Sequence, residues 1–92
     1  MPQVFKIGAY TIFFWIGEGN PLEPVHVHIS EGVPTANATK IWITKSGKAL
    51  LANNSSHIQL SDLRRLMRII EANSDTVCSM WIKYFGSITY FC

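Results

Sequence analysis

Two histidines stand two residues apart in the segment 23–28, which reads EPVHVH. Residues at i and i+2 of a β-strand point to the same side, so His26 and His28 would project together with Cβ atoms about 7 Å apart. Imidazole titrates near neutral pH, and such a pair can therefore supply an acid and a base, or two metal ligands. Glu23 would orient one imidazole ring or act as a third functional group beside the two histidines.

The histidine pair also has a structural interpretation, in which both rings lie on a half-exposed strand face and hydrogen-bond to nearby loops. A metal centre is the less favoured functional alternative, because zinc takes three or four protein ligands. The remaining candidate ligands share no spacing with the pair: His57, Cys78 and Cys92. We therefore expect no metal and no other cofactor.

Six of the eight lysine and arginine residues fall in three places along the chain. Lys40 lies two residues before Trp42 in an apolar segment, and we group it with Glu23, His26 and His28 as a candidate catalytic residue because RNA cleavage needs a cation near the phosphate. Five further basic side chains would suit a phosphate backbone: Lys45, Lys48, Arg64, Arg65 and Arg68. The alternative is that these five form the solvated side of a turn and of a helix.

Length and composition exclude several classes of protein. The 92 residues make one domain, 1–92, and with 48% hydrophobic and 15% charged residues the chain is not a disordered one. A net charge of +2 is too small to indicate nucleic-acid binding by itself, and two cysteines cannot build a multi-bridge secreted framework. The start lacks the pattern of a signal peptide, and the longest apolar run, residues 12–16, is too short to span a bilayer. We expect a cytoplasmic protein without a membrane association.

The strands that must position these side chains are indicated by β-branched and aromatic residues in alternation. Gly8-Ala9 predicts a type II′ turn between the first two strands, and the second strand is apolar on both faces, so it should lie inside a sheet. The third strand puts its histidines on one face and its valines and Ile29 on the other. The predicted strands are residues 4–7, 10–16, 25–30, 39–44 and 88–91, with 48–52 either a fifth strand or an irregular connection.

Two consecutive helices follow the strands. Ser61 is predicted to cap the first helix, and an apolar stripe then recurs at helical spacing: Leu63, Leu66, Met67 and Ile70. The segment 73–75 interrupts the pattern and can cap a second helix, which should end at Gly86 because glycine favours the left-handed backbone of a helix terminus. The fold class is therefore α+β, with a single antiparallel sheet of four to six strands covered on one face by two C-terminal helices. The short sheet edges and the surplus of aromatic residues make a homodimer or a heteromeric partner plausible.

Several short motifs occur in order along nearly the whole chain: Met1-Pro2, the hairpin of residues 7–14, Pro24-x-His26-Val27-His28, Ala38-x-Lys40-x-Trp42, the helix 63–73 and the segment 81–85. Their order resembles the domain-of-unknown-function family 4160, with a longer Ser46-Gly47 region and an added tail after Gly86 as departures. The resemblance implies a short cytoplasmic prokaryotic protein, often encoded beside a second small protein and suspected to belong to a toxin–antitoxin module. It transfers no catalytic residue.

Two functions from different classes follow. The first is a toxin-like protein that acts on RNA as a ribonuclease through the histidine strand. The second is a non-catalytic interaction module that binds a cognate small, antitoxin-like protein, in which the histidines are structural. A metal-dependent enzyme ranks last for want of ligands.

Overall fold

The chain, described here by a computed structural model over residues 3–15 and 22–92, forms one sheet followed by two helices. The strands are β1 (Gln3–Ile7), β2 (Tyr10–Phe13), β3 (His26–Glu31), β4 (Thr39–Ile43) and β5 (Ala49–Asn53). The helices are α1 (Leu60–Ala72) and α2 (Ser74–Phe85). All strand pairs are antiparallel, so the predicted α+β class is confirmed.

Each strand pairs with its neighbour in the chain, which gives the spatial order β1-β2-β3-β4-β5. The β1–β2 connection matches the predicted turn, since Gly8 has φ +58° and Ala9 keeps a negative φ. β2 lies inside the sheet, as its two apolar faces predicted, but its described strand ends at Phe13. The prediction extended it to Ile16, which lies outside the described residues.

The two helices cover one face of the sheet, which we call the helix face. Alternate residues of β2, β3 and β4 point into it, and both helices contribute their apolar stripes to the same buried cluster. The cluster includes Ile12, Val27, Ile29, Ile41 and Ile43 from the strands, and Leu63, Leu66, Ile70, Val77 and Trp81 from the helices. Burial of this apolar area is the main term that stabilises the fold.

The first helix starts earlier than its capping residue predicted. α1 begins at Leu60, and the Leu63 N–H donates to the Gln59 carbonyl at 2.9 Å. Ser61 therefore lies within the first turn, and its prediction as the cap is wrong. Gln59 occupies the cap position without a side-chain hydrogen bond, while Asp62 stands near the positive end of the helix dipole as expected.

The helix junction follows the sequence prediction more closely. Asn73 separates the helices, but its side-chain amide donates back to the Ile69 carbonyl at 2.8 Å and does not cap α2. Gly86 ends α2 with φ +83°, the left-handed conformation that glycine adopts without a steric penalty. The predicted end of the second helix is confirmed.

The last six residues, 87–92, form neither helix nor strand, and we call them the strap. The predicted terminal strand at residues 88–91 is wrong, because this segment crosses the ends of β3 and β4 and does not run along a sheet edge. Its backbone accepts two hydrogen bonds, from the Val25 N–H to the Thr89 carbonyl at 2.9 Å and from the Lys45 N–H to the Cys92 carbonyl at 2.8 Å.

Both outer strands of the sheet carry a local irregularity in register. In β1, Val4 is an extra residue between the pairs that Gln3 and Phe5 make with β2. In β5, Ala52 is an extra residue between the pairs that Leu51 and Asn53 make with β4. The segment that the sequence left open as a strand or an irregular connection is therefore a strand with a bulge.

Neither helix in the described part of the chain has the length and apolar composition needed to cross a membrane.

Candidate functional site

The sheet face opposite the helices carries Phe13, His26, His28, Lys40 and Trp42, and we call it the histidine face. The register places these side chains in two cross-strand rows. One row runs from Phe13 through His28 to Lys40, and the other pairs His26 with Trp42. Three of the four predicted catalytic residues therefore share one face. Side-chain alternation puts His26 and His28 on the same side of β3, and the register between β3 and β4 places Lys40 beside His28.

The two imidazole rings of the histidine face are in contact. The ring centroids of His26 and His28 lie 5.0 Å apart and the planes are nearly perpendicular, at 88°. The Nδ1 atom of His26 lies 2.8 Å from the Pro24 carbonyl oxygen. A carbonyl oxygen can only accept, so Nδ1 is the donor and the neutral ring carries its lone pair on Nε2. This hydrogen bond fixes the tautomer in which Nε2 can act as a base.

The fourth predicted residue, Glu23, reaches the same site from the segment before β3. Its Oε1 accepts a hydrogen bond from the Lys40 ammonium at 2.9 Å, which is also an ion pair. The Lys40 ammonium lies 4.3 Å from the centroid of the Trp42 ring, a cation–π contact. Lys40 is thus held beside His28 by one carboxylate and one aromatic face.

Aromatic rings enclose the two histidines. Besides His26, Phe13 stacks on His28 at a centroid distance of 5.5 Å, and Trp15 lies 6.3 Å away. His26 has Trp42 at 5.5 Å and Trp81 at 5.2 Å. The exposed fractions are 1% for His26 and 7% for His28. The expectation that the histidine strand is half-exposed is therefore wrong, because these rings, including Trp81 from α2, bury both imidazoles.

The strap adds a further ring to this enclosure. Phe91 stacks on Trp42 with a centroid distance of 4.8 Å and an interplanar angle of 3°. The side chain of Phe91 itself remains 57% exposed. The strap thus covers one side of Trp42, next to His26 and Lys40.

An open cavity of about 580 Å³ lies beside the histidine face. It is lined by Gln3, Lys6, Thr11, Phe13, Gly32, Val33 and Pro34. Phe13 forms the boundary between this cavity and His28, on which it stacks.

The five basic residues predicted to contact nucleic acid do not join this site. The arginines of α1 lie on its exposed side, so the sheet separates them from the histidine face, and Arg65 pairs with Asp62 at 3.6 Å. Lys45 and Lys48 flank the β4–β5 turn, where the Lys48 ammonium lies 3.9 Å from a Glu71 carboxylate oxygen. The remaining two residues of this group are the exposed Arg64 and Arg68.

The thiol of Cys78 lies under the strap. Burial raises its pKa above the ordinary value of 9.0, although its hydrogen bond with the Tyr90 side chain acts in the opposite direction. Burial likewise raises the pKa of Tyr90, with the neighbouring Cys78 adding to the effect. Both groups are therefore held in their protonated, neutral forms, and the pair ties the strap to α2.

Among residues 3–15 and 22–92, no three His, Cys, Asp or Glu side chains come together in a way that could hold a metal ion. The residues that sequence reasoning missed are the aromatic neighbours, above all Phe91, which it placed in a strand. The Lys40-x-Trp42 spacing was the one pattern that could have indicated them, since residues two apart on a strand share a face.

Comparison with known proteins gives one match. A family model described as "Domain of unknown function (DUF4160)" matches residues 9–82, about four-fifths of the chain. The matched part contains the whole histidine face and Glu23, and it ends before the strap. Searches of curated proteins and of solved structures found no match.

Proposed function

The chain belongs to the DUF4160 family of domains of unknown function, and we propose that it is a small prokaryotic toxin-like protein that cleaves RNA at its histidine face. The observation that carries this proposal is the convergence of His26, His28, Lys40 and Glu23, which the chain brings together from two strands and the segment before β3. These are the group types that transfer protons and neutralise a phosphate.

The proposed reaction needs a base, an acid and a cation. His26 Nε2 takes the proton of a ribose 2′-hydroxyl, whose oxygen attacks the adjacent phosphorus. The bond from phosphorus to the 5′-oxygen breaks, and His28 in its protonated form gives that oxygen a proton, which leaves a 2′,3′-cyclic phosphate and a 5′-hydroxyl. Lys40 stabilises the negative charge on the phosphate oxygens, and Glu23 holds the ammonium in position.

The enclosure of the histidines sets a condition on this mechanism. Because both rings are at most 7% exposed, RNA can reach them only when part of the aromatic cover moves. Trp81 belongs to α2 and to the helix-face cluster, so the part of the cover that can open without breaking the helix face is formed by Phe13, Trp42 and the strap. We therefore expect slow turnover and a dependence of the rate on residues of the cover.

The direct test is incubation of the purified chain with a labelled RNA pool. We expect His26→Gln and His28→Gln each to lower the rate by roughly 10²-fold or more, because glutamine keeps a polar side chain but cannot carry the proton. His57→Gln is the matched control, since His57 is an exposed histidine in the loop before α1. Circular dichroism establishes that each variant is folded. The proposal would be rejected by equal cleavage by the wild type and a variant that carries both His26→Gln and His28→Gln, or by the absence of cleavage by the folded wild type.

A second candidate function is favoured by a different observation. Leu50 is 39% exposed on the outer strand β5, and the register places it opposite Trp42, on which Phe91 stacks. These three side chains form an apolar patch at the edge of the histidine face, where a cognate small protein could dock. The resemblance to a family often encoded beside a second small protein supports such a partner.

Size-exclusion chromatography of the chain with the product of its neighbouring gene tests this second function. We expect a complex for the wild type and its loss for Leu50→Lys, which places a charge in the patch. Leu60→Lys is the control, because Leu60, the first residue of α1, is also exposed but lies outside the patch. A complex that persists in Leu50→Lys would exclude this patch as the interface.

A further inference from the structure

The Trp42 ring has the surroundings of a stacking site for a nucleotide. Phe91 lies parallel to it within 3° at 4.8 Å, which is the offset-stacked arrangement that a nucleobase adopts on an aromatic side chain. The Lys40 ammonium lies 4.3 Å from the same ring. One of its three N–H groups donates to Glu23, and another can meet a phosphate attached to the base. One planar ring and one cation therefore stand together at the edge of the histidine face.

The occupant of this stacking position is weakly attached. Phe91 is 57% exposed, so only one side of its ring is covered. The strap that carries it has no regular secondary structure. Two backbone hydrogen bonds, the Tyr90–Cys78 pair and the packing of Ile88 and Tyr90 against the core attach it, whereas the side chains of Phe91 and Cys92 at its end are exposed. An exposed end with few buried contacts opens at low free-energy cost. Phe91 can therefore leave Trp42 while the sheet and both helices stay intact.

The position of the family match adds an independent observation. Residues 9–82 include Lys40 and Trp42, whereas Phe91 lies beyond the matched part. The ring and its cation thus lie within the matched part, and the side chain that covers the ring lies outside it.

We infer that Trp42 and Lys40 form a nucleotide-binding site, in which the base stacks on Trp42, the phosphate contacts Lys40, and Phe91 is an internal competitor for the base. This inference rests on the proposed function and deepens it, because it names where a base of the RNA binds next to the histidines. Displacement of Phe91 also removes one part of the cover over Trp42 and its neighbour His26.

Binding of adenosine monophosphate, measured by isothermal titration calorimetry, tests the inference without any cleavage assay. Phe91→Ala should bind about 2- to 10-fold more tightly than the wild type, because the competitor is gone. Leu60→Ala is the matched control: Leu60 is exposed to the same fraction, 57%, and lies on α1 away from Trp42. Its affinity should equal that of the wild type.

A second variant shows whether the gain depends on the stacking ring. In the Phe91→Ala background, Trp42→Leu keeps apolar bulk in the sheet but removes the aromatic face, and affinity should fall roughly 5- to 100-fold. Adenosine, which lacks the phosphate, should bind Phe91→Ala more weakly than adenosine monophosphate does. Equal affinities for the two would remove Lys40 from the site.

The inference is overturned if Phe91→Ala binds adenosine monophosphate no more tightly than Leu60→Ala, or if the gain survives in the Trp42→Leu variant. Its failure differs from failure of the proposed function. RNA cleavage that depends on the histidines, without a Phe91 effect on nucleotide affinity, would leave the proposed function standing alone. Nucleotide binding controlled by Phe91, without cleavage, would leave a nucleotide-binding domain that is not a nuclease.

Discussion

The two faces of the sheet are built from the same strands but are closed in different ways. On the helix face, aliphatic side chains of β2, β3 and β4 meet the apolar stripes of α1 and α2. On the histidine face, aromatic rings surround two imidazoles and an ion pair, and a six-residue strap covers one of the rings. Alternation along the strands separates a face for stability from a face that contains chemical groups.

The difference matters because the two kinds of contact respond differently to movement. Apolar burial against helices is cooperative and non-directional, so opening that face would unfold the domain. Aromatic stacking and a single ion pair contribute less free energy, and they can be broken locally. The helix face therefore serves as the rigid base on which the histidine face can open.

The largest effect is expected from a cavity on the helix face. Leu66 is fully buried in the cluster beneath α1, and Leu66→Ala should lower the free energy of unfolding by about 2–5 kcal/mol. Urea denaturation followed by circular dichroism measures this. A loss below about 1 kcal/mol would mean that the helix face is not the principal source of stability.

A smaller effect on stability is expected on the histidine face. His28→Leu replaces a buried ring, stacked on Phe13, with an apolar side chain. Such a replacement should change the free energy of unfolding by less than about 1.5 kcal/mol, while it abolishes the proposed RNA cleavage. The same denaturation series gives the comparison. A cost equal to that of Leu66→Ala would show that His28 is as structural as the helix core.

The strap should make stability depend on alkaline pH. Burial raises the pKa of Cys78 above 9.0 in the folded chain, so the folded state retains a proton that the unfolded state releases. Stability contributed in this way is present below pH 9 and decreases as pH rises further. The urea concentration at the unfolding midpoint of the wild type should therefore decrease as the pH is raised from 8 to 10, roughly the range in which the thiol ionises.

Cys78→Ala is the control for this pH dependence, because it removes the thiol. Its urea midpoint should decrease less steeply over the first part of the same range. The Tyr90 and Tyr10 hydroxyls, whose pKa values are also raised by burial, contribute from pH 10 upward. Identical profiles for the wild type and Cys78→Ala would show that the thiol is not protected in the fold.

The smallest effect is expected from the ion pair of the histidine face. Glu23→Gln removes the carboxylate that the Lys40 ammonium contacts at 2.9 Å. Since the side chains are 18% and 36% exposed, solvent screens the pair, and the free energy of unfolding should fall by less than about 1 kcal/mol. The difference in stability between the wild type and Glu23→Gln should become smaller still in 1 M salt. Thermal denaturation of both proteins at two salt concentrations would detect this. A difference that does not respond to salt would indicate a lost hydrogen bond and not a lost charge interaction.

Local patterns predicted much of the fold because they depend on neighbouring residues. The turn at Gly8 and the helix end at Gly86 both require a positive φ, which glycine adopts most readily. Ser61 was misleading as a cap, because the chain enters α1 two residues earlier, through Gln59. The residues 88–91 have the composition of a strand, but the hydrogen bonds that the strap accepts come from Val25, just before β3, and from Lys45, just after β4, so the segment lies across the strand ends.

The candidate site was predictable only in part. The alternation within β3 placed His26 and His28 together, but the pairing of His28 with Lys40 depends on the register between two strands. Register follows from long-range packing that one segment does not encode. The enclosure by Phe13, Trp42 and the strap is likewise a tertiary property, and for that reason the burial of the histidines could not be deduced.

The extra residues in β1 and β5 determine how copies of this chain can meet. An outer strand with an inserted residue twists and loses its regular row of free backbone groups, so a second sheet cannot extend it in register. Edge-to-edge association, the first step toward fibrous aggregates, is thereby disfavoured on both sides of the domain. A bulge in each outer strand thus protects the sheet against a second copy on both sides.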